Sequence, residues 1–302
     1  MIKIKTLSWV WLLLFVISFS PLFISCQKTT TPASPPTTTT VKFLGHKASG
    51  SSSIDPTIIE NTLPAVQKGL KTLNGVELDL QMSLDGTIWI LHDLNLATLT
   101  CNSVLPRMII LSRDAEISKI TLCTSKAQDK ICKLSEVINY WNQAATPFYI
   151  SLHMKLDYPV DSMNKPAIGG EAAYLSKFAE SLAKILPSVK DPGKIICEVY
   201  DATFCKKIHQ LIPGLVVCLI KEVSFPQQIN DALVLGYDGV SCMFTEPTLT
   251  EAEVTRAQKS GLIVQLWTPD SQQELTASLN LHPNFIETDN LNSISDLNVI
   301  VK

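Results

Sequence analysis

The sequence carries no basic excess: 25 lysines and arginines stand against 28 acidic residues over 302 positions, for a formal net charge of -3. A footprint on a nucleic-acid backbone needs clustered positive charge, so nucleic acid is not an expected partner. No two of the eight cysteines stand in a CxxC spacing, which removes the commonest zinc signature. No glycine-rich phosphate loop follows the first strand-like run, and no internal repeat is visible. With 46% apolar residues the chain can still bury a large single core.

What is present starts at the N-terminus. Residues 1–26, MIKIKTLSWVWLLLFVISFSPLFISC, join Lys3 and Lys5 to a long apolar run that ends on Ser25-Cys26. A positive start followed by an apolar stretch reads as an export signal. Its end resembles the bacterial lipobox, in which the cysteine is lipidated and becomes the mature N-terminus, although Phe23 stands where leucine is usual. The expectation is a lipid anchor on Cys26 that holds the protein to a membrane of the bacterial cell envelope, at its periplasmic or outer-membrane face. An uncleaved membrane anchor and ordinary secretion are the alternatives. Residues 27–40, QKTTTPASPPTTTT, have almost nothing apolar to bury and read as an extended tether. The folded domain is expected over 41–302.

Seven cysteines fall in that domain, an odd number that cannot all pair internally. Cys197, Cys218 and Cys242 sit in apolar runs and read as small core residues. Cys101, Cys123 and Cys132 share an irregular segment, where a disulfide fits an oxidising compartment.

From Val41 onward, short apolar runs alternate with helical patterns. Strands are expected over 41–48, 75–82, 148–155, 194–200, 214–220, 237–242, 262–267 and 284–289. Helical patterns cover 61–73, 133–144, 171–186, 202–212, 225–236 and 250–261. Eight strands with intervening helices suit a (β/α)8 TIM barrel. A doubly wound open sheet is the alternative, weakened by the missing glycine-rich loop. The stretch GVELDLQMSLDGTIWILHD, residues 75–93, departs from the repeat, because only Asp85-Gly86 parts two strand-like runs. So tight a turn joins antiparallel partners, and the expected result is a hairpin after the second barrel strand that returns His92 towards the site.

On that second strand Glu77, Asp79 and Gln81 share one face, while Val76, Leu78 and Leu80 share the other. With the leucines under the helices, the acidic pair faces the barrel interior. Two carboxylates about 7 Å apart resist desolvation unless water or a cation meets them, so the spacing suits either a metal site or a solvated strand end. In SLHMK, His153 and Lys155 share a face, and a lysine there offers fixed charge to an anion or simply ends a strand at the surface. The first strand delivers His46 and Lys47 to the end where barrel enzymes keep their chemistry.

GHKASG, ENTLPAVQKG, GVELDLQMSLDGTIWILHD, LHMK, LWTPD and FIETD follow one another across residues 41–290 in an order and spacing that resembles the glycerophosphodiester phosphodiesterases, within the superfamily of phospholipase C-like TIM-barrel phosphodiesterases. The resemblance implies a distorted TIM barrel that holds one divalent cation, Ca²⁺ or Mg²⁺, and cleaves a small phosphodiester to glycerol phosphate and an alcohol. By position, His46 and His92 match the histidine pair that serves as general acid and base, and Glu77 and Asp79 match metal carboxylates. Glu60 and Asn61 of ENT match supporting positions, and Trp267 is either a wall for the substrate alcohol or a packing residue at the barrel top.

Two departures stand out. The family's H-R-G is His46-Lys47-Ala48 here, so Lys47 keeps the charge without the bidentate fork of arginine. The family's E-I-K is His153-Met154-Lys155, which puts an imidazole in the metal set and opens it to Zn²⁺ or Mn²⁺. Glu198 is a candidate to restore the carboxylate. The expected activity is metal-dependent glycerophosphodiester hydrolysis by a monomer. The alternatives are a weak or inactive barrel that binds a phosphorylated ligand, and a phospholipase D-like enzyme acting on intact lipid.

Overall fold

A computed structural model describes residues 41–96, 100–101, 108–156, 158–295 and 297. The export signal, the tether and Cys26 lie outside the described residues. The described chain forms β1 (Lys42–Gly45) and β2 (Gly75–Met82), then the short β3 (Ile88–Ile90), β4 (Thr121–Cys123), β5 (Gln128–Lys130) and β6 (Cys132–Lys133). It continues with β7 (Tyr149–Met154), β8 (Ile195–Val199), β9 (Val216–Ile220), β10 (Gly239–Met243), β11 (Ile263–Trp267) and β12 (Phe285–Thr288).

β1 pairs in parallel with both β2 and β12, which closes β1, β2 and β7 to β12 into an eight-stranded parallel barrel. Helices run between the strands, so the (β/α)8 TIM barrel is the fold. Its strands read as apolar runs because a parallel strand of this kind is buried on both faces; all eight residues of β2 are buried. Val76, Leu78, Leu80 and Met82 join the main core with Val137, Ile138 and Trp141 of the helix Leu134–Gln143 and Phe178 and Leu182 of the helix Glu171–Ile185. That outward apolar set turns Glu77, Asp79 and Gln81 inward. Leu44, Ile196, Cys218 and Phe285 form a separate apolar cluster inside the cylinder.

The expected hairpin is present: β3 runs antiparallel to β2, with Leu80 opposite Ile90 and Met82 opposite Ile88. Its connection is longer than Asp85-Gly86 alone. Ser83 N–H donates to the Thr87 carbonyl (3.0 Å), and Gly86 takes a left-handed φ of 86° between them. β6 extends the hairpin on its far side. Around it Ile59, Trp89, Leu91, Ile109, Ile117 and Leu122 build a second small core, and β4 and β5 form their own antiparallel pair. Cys101 and Cys123 are joined by a disulfide there, while Cys132 is buried and free. Among the described residues no helix is long and apolar enough to cross a membrane.

Candidate active site

A cavity of about 930 Å³ opens at the C-terminal ends of the barrel strands, lined by His46, Glu77, Asp79, His92, His153, Lys155, Glu198, Trp267 and Glu287 among others. The chain therefore brings together side chains that lie up to 241 positions apart, the span from His46 to Glu287.

β1 ends at Gly45, and the next residues turn sharply, with Lys47 at φ 50° and Ala48 at φ 78°. Gly45 allows the turn: a Cβ there would lie 2.1 Å from the Ala48 carbonyl oxygen. The turn hangs His46 over the cavity and aims the Lys47 N–H at Glu77 Oε2 (2.8 Å). His46 Nδ1 donates to Asp289 Oδ1 (2.9 Å), which leaves Nε2 towards the site, 3.9 Å from Glu77 Oε2. Burial works against charge on this ring, but the bond to Asp289 and the charges of Glu77, Asp289 and Asp79 outweigh it and raise its pKa to about 9.

His92 arrives just past the hairpin's return strand, two residues beyond Ile90. Gln81 fixes that arrival, its amide Nε2 donating to the carbonyls of Leu91 (2.7 Å) and Asp93 (2.9 Å), while its Oε1 accepts from Tyr158 (3.0 Å). Like His46, His92 uses Nδ1 on a carboxylate, Asp93 Oδ1 at 2.8 Å.

Between the two imidazoles lie the acidic groups. Glu77 is 1% exposed and Asp79 0%. Asp79 is gripped by Asn61, whose Nδ2 donates to Asp79 Oδ2 (2.9 Å) and whose Oδ1 accepts from the Asp79 N–H (3.1 Å). Asn61 holds φ 58°, a left-handed value that asparagine tolerates well. His153 Nδ1 lies 3.3 Å and Lys155 Nζ 3.7 Å from Asp79 Oδ1. Burial opposes the Asp79 charge, but the His153 hydrogen bond and the charges of Lys155, His153 and His92 hold its carboxyl well below the usual range. Burial and the Asp79 charge push Glu77 the other way, up to about 8.

Ligand atoms of Glu77, Asp79 and His153 fall within 4.8 Å of one another, a set that could hold a metal ion. Glu77 Oε1 is buried without a hydrogen-bond partner, while Asp79 Oδ1 faces the His153 imidazole and the Lys155 ammonium. An unpartnered buried carboxylate oxygen beside a second carboxylate and an imidazole is an arrangement that suits a divalent cation.

The remaining expected residues divide. Trp267 lines the cavity wall. Lys47, expected to grip the phosphate, does not line the cavity; its Nζ pairs with Glu60 Oε1 (3.3 Å), and Glu60 Oε2 accepts from the Ser52 N–H (2.8 Å). Glu198 points inward, yet both its oxygens accept hydroxyl protons, from Ser151 (2.6 Å) and Ser241 (2.6 Å). Asp289, Asp93, Gln81 and Glu287 went unassigned in the sequence. Glu287 shares the inward face of FIETD with Phe285 while Ile286 points outward, as Glu77 and Val76 divide in GVELDL, so the same face-counting signal was there to use.

A sequence profile described as the glycerophosphoryl diester phosphodiesterase family matches residues 46–293. The chain belongs to that family. The enzyme's barrel is similar to the phosphodiesterase of Oleispira antarctica solved in complex with the product sn-glycerol-3-phosphate, at 17% identity and a TM-score of 0.68 over 85% of this chain and 96% of that one. A glycerophosphodiester phosphodiesterase of Parabacteroides distasonis gives 15% identity and 0.65 over 85% and 96%. That of Thermotoga maritima gives 19% and 0.62 over 85% and 98%. At such identities these likenesses carry the fold alone. Among proteins of curated function, no sequence matches the chain.

Proposed function

We propose that the enzyme hydrolyses glycerophosphodiesters to glycerol phosphate and an alcohol, with one divalent cation held by Glu77, Asp79 and His153 and with His46 and His92 as the proton-transfer pair. The observation that carries this is the meeting of Glu77, Asp79 and His153 around the unpartnered Glu77 Oε1, in a cavity that also receives His46 and His92. When bound, the cation neutralises the non-bridging phosphate oxygens and polarises phosphorus.

The chain's own groups supply the rest. Lys155, 3.7 Å from Asp79, adds positive charge beside the position a phosphate would take. His46 and His92 each turn Nδ1 to a carboxylate, so Nε2 is the atom left to move protons. With Nδ1 of each ring anchored on a carboxylate, one imidazole can protonate the leaving alcohol while the other takes the proton of the attacking water. In this reading Cys26 carries a lipid that keeps the enzyme at the cell envelope, supported by the sequence around Ser25-Cys26.

The test is release of glycerol phosphate from glycerophosphocholine by the purified chain after chelation, with Ca²⁺, Mg²⁺, Mn²⁺ and Zn²⁺ added back in turn. Activity should vanish with chelator and return with metal, and His92→Ala should lower kcat by about 10²-fold or more. Absence of turnover with every ion would instead favour a barrel that binds a phosphorylated ligand.

A further inference from the structure

The cation site just described draws both its carboxylates from one strand, Glu77 and Asp79 of β2, and completes itself with a neutral imidazole. A second group of donors gathers on the other flank of Glu77. Ligand atoms of His46, Glu77 and Glu287 lie within 4.8 Å of one another. Glu77 thus belongs to both sets.

Glu287 comes from β12, the strand that closes the barrel against β1, and is 2% exposed. Its Oε1 accepts from Gln265 Nε2 (2.8 Å), and the same amide nitrogen donates to Ser151 Oγ (3.0 Å). The carboxylate is therefore held in place from β11 and β7. Burying it beside Glu198 and Glu77 sets like charges together in a space with little water, and the Gln265 amide and the hydrogen bond with Glu198 meet that cost only if a carboxyl keeps a proton or a cation enters. Glu77 Oε1, buried and unpartnered, faces the same problem from the other side. Glu198 is part of the same cluster, hydrogen-bonded to Glu287, but both its oxygens also accept from serine hydroxyls and it joins neither donor set.

We propose that Glu287 is a third carboxylate of the cation site, sharing the ion with Glu77 and restoring the negative charge that the imidazole at position 153 does not supply. The inference rests on the cation reading above. Its chemical consequence is selectivity: three carboxylates keep the site suited to hard ions such as Ca²⁺ and Mn²⁺, against the pull of His153 towards Zn²⁺.

Calorimetric titration of the chelator-treated full chain with Ca²⁺ and with Mn²⁺ tests it, read independently of activity. Wild type should bind and Glu77→Gln should not. Glu287→Gln should weaken Ca²⁺ by at least about tenfold, the size of effect seen when a group supporting a metal ligand is lost. The double variant His153→Glu, Glu287→Gln returns a carboxylate from the opposite side and should recover most of that loss. Wild type that binds neither ion sinks the cation reading and this inference with it. Wild type that binds while Glu287→Gln binds equally well overturns this inference alone. Should Glu287→Gln fail to fold, the europium excitation energy of the wild-type site, which reports the carboxylate charge around the ion, decides: three carboxylates support the assignment and two overturn it.

Discussion

At the residue scale, the site is a balance of buried charges that protons meet when no cation is bound. Without one, Glu77 keeps a proton up to about pH 8 because burial and Asp79 oppose its charge, and His46 keeps one up to about 9 despite burial, because Asp289, Glu77 and Asp79 surround it. Both values stand above those of the unfolded chain, near 4.5 and 6.5. A group raised in this way contributes stability that is whole below its unfolded value and is lost as pH climbs through its folded one. The melting temperature of chelated protein should therefore fall steadily from mildly acidic pH to about pH 9. If the proposed cation site takes Ca²⁺ on its ionised carboxylates, saturating Ca²⁺ should remove most of that slope, and Glu77→Gln should flatten its lower part. Thermal melts across pH, with and without chelator, measure it; a flat profile in chelated wild type would remove the charge balance described here. The acidic pair was legible because two carboxylates at i and i+2 interrupt an otherwise apolar strand. Asp289 was not, because it meets His46 only once the barrel closes across 243 positions.

At the element scale, the hairpin decides whether the second histidine is usable. β3 leaves the barrel after β2 and must bring His92 back over the cavity, and Gln81 ties that return by bonding to the carbonyls on both sides of it. Gln81→Leu keeps the volume but removes the donor to the Leu91 and Asp93 carbonyls and an acceptor of the Tyr158 hydroxyl. The expected cost is about 2–4 kcal/mol of stability, since several buried hydrogen bonds are lost together. A second reading separates positioning from mere weakening: kcat should drop far more than KM rises at a temperature where the variant is fully folded. Equal changes in both, or none, would leave Gln81 a packing residue. All eight barrel strands could be read from the sequence, because buried parallel strands are apolar on both faces and stand out by composition. The helix Gln272–Leu279 could not be read from its weak apolar pattern, although Ser271 and Glu274 form a capping box that announced its start. The helices Asp114–Ile117 and Val160–Met163 are single turns fixed by tertiary contacts, and sequence periodicity has too little length there to act on.

At the scale of the whole molecule, the barrel and its surroundings solve different problems. The barrel core needs no covalent help: Cys197, Cys205, Cys218 and Cys242 are buried in it and unpaired. The small core beside the hairpin is held differently, with Cys101 and Cys123 bridging 22 positions across a region of short strands. A cross-link of that span adds about 3 kcal/mol by restricting the unfolded chain, and it persists only where the compartment is oxidising. The export proposed for residues 1–26 would supply such a compartment. The proposal of a lipid on Cys26 then makes a definite prediction about the mature chain. Intact-mass analysis of protein extracted from membranes should find Cys26 as its first residue, heavier by the mass of attached acyl chains, with Cys101 and Cys123 oxidised. Cys26→Ser should take up no radiolabelled palmitate in growing cells. Protein that still begins at Met1 and carries no lipid would mean that the apolar run itself is the anchor, with the same 14 residues, Gln27 to Thr40, setting the reach of the active site from the membrane, whereas protein that begins elsewhere and partitions into water would mean plain secretion and an active site free of that restraint.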